Sequence, residues 1–209
     1  MTTTLTQRPS SKTWRDDLAI VVDDLSDQRG GALVLPAEFA TTESIAFMVR
    51  YTSGFLCVAL TEDNCERMML PLVYGFAHSR CPGQRVAVDL CDNGTGISAA
   101  ARARTIRALS DPDSSPVDFT RPGHVVPVSV GDEAEFTMTQ GAVALALSNG
   151  AHPAATYAWV VSANCDDGLA RAAELYALAD EHGIAVVNLS SLQAWWPTFA
   201  SSGIDRRAQ

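Results

Sequence analysis

The side chains best suited to chemistry stand between Asp118 and Val128, in the run Asp118-Phe119-Thr120-Arg121-Pro122-Gly123-His124-Val125-Val126-Pro127-Val128. Arg121 can grip a planar anion with two parallel hydrogen bonds, and His124 brings an imidazole, the side-chain type most often used for proton transfer near neutral pH. Pro122 has no N–H to give a ladder, and Gly123 lets another backbone come close, so the segment reads as a turn entering a strand. A solvated Arg121 and a structural His124 explain the same residues without any reaction. Cys81 lies beside Arg80 and Arg85 in an irregular stretch, an electrostatic setting that favours a thiolate. Asp27, with Asp23 and Asp24 upstream, is a candidate acid, although an acidic loop face accounts for it equally well. Cys57 falls inside an apolar run and is expected in the core.

These groups must be positioned by elements that alternate along the chain. Residues 1–13 read as a flexible tail, leaving 14–209 as a single domain. Short apolar strands are expected at 18–22, 33–36, 55–60, 85–90, after His124, at 157–162 and at 184–189. Helices are expected from Thr42 to about Gly54, from Thr61 to about Met69, after Ser98, over 137–148 and 168–182, and from Ser190 to Trp196. The stretch 71–84 is an irregular loop, and Asp92-Asn93-Gly94-Thr95-Gly96-Ile97-Ser98 is a glycine-punctuated turn whose backbone N–H groups can receive an anion. Nearly all-apolar strands alternating with helices predict an α/β domain: a layered mixed sheet with helices on both faces.

Composition removes several functions. With 15 Lys and Arg against 24 Asp and Glu, the net charge of −9 disfavours nucleic acid or an anionic membrane as partner. No apolar run approaches the roughly 20 residues of a membrane span. The 5 cysteines form no CxxC pair, which suits reduced thiols in a cytoplasmic protein.

Four blocks in order, Ala37-Glu38-Phe39-Ala40-Thr41, Tyr51-Thr52-Ser53-Gly54-Phe55-Leu56-Cys57-Val58, Gly94-Thr95-Gly96-Ile97-Ser98-Ala99 and Asp118 to Pro127, resemble the 3,4-dihydroxy-2-butanone 4-phosphate synthase family of riboflavin biosynthesis. The resemblance covers roughly residues 18–197. It implies a homodimer with sites at the subunit interface, and conversion of ribulose 5-phosphate to dihydroxybutanone phosphate and formate with magnesium, acidic residues and a histidine. On this resemblance Arg121, Thr95, Ser98, Thr105 and Thr139 stand where the family builds its site, with Met138, Trp159 and Phe76 nearby.

The chain departs from the family at several of those positions. The family's Arg-Glu-Asn-Glu-Gly-Asp-Leu loop is matched by Asp27-Gln28-Arg29-Gly30-Gly31-Ala32-Leu33, and its Gly-His-Thr-Glu motif by Thr137-Met138-Thr139-Gln140. Glu135 falls on a phosphate-contacting arginine, Trp159 on a glutamate, Ala101 on an aspartate and Arg80 near a histidine. Magnesium needs hard oxygen ligands, and an arginine-to-glutamate change swings the local Coulomb energy by several kcal/mol even at an effective dielectric of about 20. The expectation is therefore a repurposed enzyme without metal or cofactor, a lyase, isomerase or condensing enzyme acting on a small non-phosphorylated substrate. His124, Cys81 and Asp27 are its candidate catalytic groups, with Arg121, Thr95, Ser98, Thr105, Thr139, Trp159 and Met138 lining the substrate. A non-catalytic binding or partner protein on the same scaffold, and the family's own synthase activity, are the alternatives.

Overall fold

Alternate residues of one strand feed two different cores. In β1 (Ala19–Val22), β2 (Gly31–Pro36) and β3 (Cys57–Thr61), the side chains of Ile20, Val22, Leu33, Leu35, Val58 and Leu60 join one apolar cluster, while Ala19, Val21, Ala32, Val34, Cys57 and Ala59 join another. Burying both sides of a period-two element requires cover on both faces. The computed structural model describes residues 14–26, 30–73, 83–131, 135–165 and 168–203. The candidate tail 1–13, Asp27, Phe76, Arg80 and Cys81 lie outside them.

One face is covered by α1 (Thr42–Tyr51), α3 (Ala99–Ser110) and α5 (Ala172–His182), through Ile45, Met48, Ile106, Leu109 and Leu175. Full burial of such a side chain contributes about 1.5–3 kcal/mol each. The short α2 (Glu62–Arg67) adds Cys65 to this cluster. The other face takes α4 (Met138–Ser148) and α6 (Leu189–Gly203), and its lining is small: Ala19, Ala32, Ala59 and Ala155 on the sheet, Ala142, Ala144 and Ala146 on α4. A Cβ at Gly141 would stand 2.3 Å from Leu189 Cδ1, so glycine there lets α6 pack tightly on α4.

With β4 (Val88–Leu90), β5 (Phe119–Val130), β6 (Ala154–Trp159) and β7 (Ala185–Asn188), the described strands form a sheet in the order β4-β5-β3-β6-β2-β1-β7. β3 with β5 and β1 with β7 are parallel, and the remaining pairs antiparallel. The mixed α/β layering expected from the sequence is the architecture observed. Among the described residues no helix is long and apolar enough to cross a membrane.

Three local expectations change. The Arg121–His124 segment is not a turn before a strand but part of β5, which begins at Phe119 and bulges against β4 between Val88 and Asp89. The reason is steric: a Cβ on Gly123 would stand 2.0 Å from the Val88 carbonyl carbon, so glycine alone lets the two strands meet there. The Arg121–Pro122 peptide is cis. β6 starts at Ala154, earlier than Tyr157, because Ala154 and Ala155 pair with Leu60 and Ala59 of β3. α5 starts at Ala172 rather than Gly168, because Glu174 turns back to accept the Arg171 N–H at 3.1 Å, and Leu169 bridges to Val161 instead.

Candidate functional site around His124 and Asp89

β4 and β5 bring an aspartate to the imidazole. His124 Nδ1 lies 2.7 Å from Asp89 Oδ2, and the His124 backbone N–H donates to Asp89 Oδ1 at 3.0 Å. Asp89 is buried, its side chain 10% exposed, whereas the His124 side chain is 40% exposed. A carboxylate taken from water needs its oxygens satisfied, and one residue satisfies both here. The glycine-punctuated turn closes over it: a Cβ on Gly96 would stand 2.0 Å from Asp89 Oδ2, and Gly96 has φ +74°. Nothing but glycine fits that approach in that conformation. Val125 points into the α1/α3/α5 core and Val126 into the other, so His124 and Val126 share the face covered by α4.

Along that face Val126 pairs with Cys57, which pairs in turn with Tyr157. Tyr157 Oη lies 3.1 Å from Thr139 Oγ1 in the first turn of α4, and both residues are buried. Met138 is buried beside them in the apolar cluster, and Trp159 at the end of β6 is half-buried. Thr137 and Gln140 close α4 by a capping box, with the Thr137 N–H donating to Gln140 Oε1 at 2.7 Å. Glu135 is exposed just before the helix.

Other sequence-selected residues stand in structural bonds. Arg121 donates to the carbonyls of Phe119 at 3.0 Å, Met68 at 2.9 Å and Pro116 at 3.2 Å, tying β5 to the end of α2. Ser98 caps α3 by accepting the Ala101 N–H at 3.1 Å. Thr105 is fully buried, accepting the Leu90 N–H at 3.0 Å and an Asn93 side-chain N–H at 3.1 Å. Thr95 is exposed on the turn beside Gly96. Asp24 accepts the Ser190 N–H at 2.9 Å and its hydroxyl, which secures the start of α6. Burial works against its ionisation, but the Ser190 hydrogen bonds prevail and hold its carboxyl below the usual range. Asp23 accepts from Ser26 Oγ at 2.8 Å and from the Leu25 N–H at 3.1 Å. Burial pushes the Cys65 thiol up to about 12, which makes it inert at neutral pH.

The structure thus gathers His124, Asp89 and the Thr95–Gly96 turn, and places Thr139, Met138 and Trp159 around the α4 end of the same sheet. It puts Arg121, Ser98 and Thr105 to structural use. Asp89 was missed in the sequence because a lone acid in Val88-Asp89-Leu90 looks like an outward strand position. The bulge that turns it to His124 has no signature beyond Gly123.

The model for 3,4-dihydroxy-2-butanone 4-phosphate synthase matches residues 11–195 of this chain. The chain belongs to the 3,4-dihydroxy-2-butanone 4-phosphate synthase family. Riboflavin biosynthesis protein RibBA of Rhodococcus erythropolis is 42% identical over 181 residues, covering 84% of this chain and 43% of the relative. RibBA of Mycobacterium tuberculosis gives the same 42% over 181 residues, 84% of this chain and 43% of the relative. The chain therefore spans less than half the length of these relatives. Among solved structures, a 3,4-dihydroxy-2-butanone 4-phosphate synthase in complex with two magnesium ions superposes with a TM-score of 0.80 at 30% identity, covering 88% of this chain and 93% of that one. The Candida albicans synthase gives a TM-score of 0.77 at 32% identity, covering 86% and 91%.

These findings overturn the expectation of a repurposed lyase, isomerase or condensing enzyme that works without metal. Its relatives over most of the chain are riboflavin biosynthesis proteins, and one solved relative, a 3,4-dihydroxy-2-butanone 4-phosphate synthase, holds magnesium. The expectation generalised from a few replaced side chains, whereas the identity runs through 181 residues. Those replacements do bear on the ion. Among the described residues no group of three or more His, Cys, Asp or Glu is placed to hold a metal, and Met138, Gln140, Gly30 and Ala32, which the resemblance sets at acidic and histidine positions, offer no charged oxygen ligand. A Cβ at Gly30 would meet Leu169 Cδ1 at 2.9 Å and Trp159 Cζ3 at 3.5 Å, so apolar atoms fill that corner. By themselves the described residues do not fit an octahedral oxygen cage. Asp27, Asp132 and Glu133 lie outside them.

Proposed function

We propose that this chain catalyses the reaction of its family, converting ribulose 5-phosphate to dihydroxybutanone phosphate and formate. The five carbons divide into four and one with no external oxidant or reductant, so the protein's task is to bind and to move protons. The observation that carries the reading is the 42% identity sustained over 84% of the chain with riboflavin biosynthesis proteins. His124 supports it chemically. Its Nδ1 faces Asp89 while the side chain remains 40% exposed, an arrangement suited to a general base that takes a proton from a bound sugar. Thr95 on the adjoining turn, with Thr139, Met138 and Trp159 at the α4 end, lines the rest of the substrate's room in this reading. The working unit is a homodimer with its sites at the subunit interface, in the cytoplasm, where a thiol such as Cys91 stays reduced. Incubation with ribulose 5-phosphate across a magnesium titration, with formate followed by a coupled dehydrogenase, tests the proposal. Formate released in step with sugar consumption supports it, and an unchanged sugar at every magnesium concentration refutes it.

A further inference from the structure

We propose that Asp89 is the positioning residue for His124, fixing the imidazole in the tautomer with its proton on Nδ1 and its lone pair on Nε2. The inference rests on the functional reading above for its kinetic arm only. Its basis is a chelate made by one residue: the backbone N–H of His124 is an obligate donor, and it claims Asp89 Oδ1 at 3.0 Å. That leaves Oδ2, 2.7 Å from Nδ1, facing the ring. A carboxylate oxygen accepts, so the ring nitrogen opposite it must donate, and Nε2 is left as the acceptor. The contact fixes the ring plane as well as the proton, because the carboxylate cannot retreat. Gly96 lies against Oδ2 so closely that a Cβ there would stand at 2.0 Å, and the Asp89 carbonyl accepts from Thr120 Oγ1 at 3.3 Å on the other strand. A buried aspartate hydrogen-bonded to the ring nitrogen remote from substrate is how a base is kept in the right tautomer and aimed.

The test is Asp89→Asn, which preserves shape. If the amide oxygen keeps the His124 N–H, its NH₂ group faces Nδ1, which must then accept, and the proton moves to Nε2. Nitrogen-15 NMR of the full chain at mildly alkaline pH reads the tautomer directly, with the His124 resonances assigned by their absence in His124→Gln. The expected result is Nδ1–H in the wild type, Nε2–H in D89N, and kcat for formate release lowered roughly 100-fold with KM changed by less than about threefold. On a His124→Ala background D89N should lower kcat no further. A wild-type ring already protonated on Nε2 overturns the inference, as does D89N with an unchanged tautomer or with KM rising as kcat falls. Should the wild type release no formate, the functional reading falls and the tautomer measurement still decides this one. Should D89N fail to fold, the wild-type spectrum decides alone.

Discussion

The two ends of the sheet carry polar groups in opposite ways. At the β4–β5 end a buried carboxylate, an imidazole and two glycines are fitted to each other so closely that backbone meets backbone or carboxylate. At the β1–β2–β6 end the acids are spent on local structure: Asp23 holds its own turn and Asp24 the start of α6. Gly30 there rests against the flexible end of Leu169 and the ring of Trp159. The contrast teaches that an acid's presence in a loop says little about chemistry. What matters is whether its oxygens are committed to backbone and caps or to a group that can move a proton.

The contrast can be broken most directly at His124. Replacing it by alanine should cut formate release by about 10²–10⁴-fold, the range that positioned general bases supply, and cost about 1–3 kcal/mol in urea denaturation because Asp89 Oδ2 loses its partner. A Gly123→Ala change is the next largest. Its Cβ would enter the Val88–Asp89 backbone, which cannot step aside, so a loss of about 2–4 kcal/mol is expected in urea denaturation. Gly30→Ala meets a Leu169 methyl that can rotate, so the same experiment should show about 1 kcal/mol or less. Equal losses at the two glycines would erase the distinction drawn between the ends. The smallest effect concerns Asp24, whose carboxyl sits below its ordinary range because of Ser190. A depressed acid stabilises the fold above its unfolded pKa and loses that contribution as pH falls through the folded value. For this largely exposed group Asp24→Asn should cost about half a kcal/mol at neutral pH after solvent screening, and the difference from wild type should vanish in acid.

The fold was legible from the chain because its strands are apolar on alternate positions of both faces and its helices begin with caps such as Thr41, Thr61 and Ser98. The family was legible from four blocks of residues. What escaped was tertiary. Arg121 and Thr105 read as ligand-binding groups, yet carbonyls and a backbone N–H consume them, and no spacing rule reveals that. Asp89 escaped because its partner lies thirty-odd residues away across a bulge. The functional misreading had a different cause: missing carboxylates at Gly30 and Ala32 were given more weight than the similarity running through the rest of the chain.

Carbon balance measures the central claim most directly. Wild type and His124→Ala, matched for folding by circular dichroism, are given ribulose 5-phosphate and magnesium, and formate is counted against sugar consumed. The account predicts one formate per sugar from the wild type and a rate at least about a hundredfold lower from the variant. Equal rates from both proteins, or sugar that persists untouched with the wild type, would contradict it.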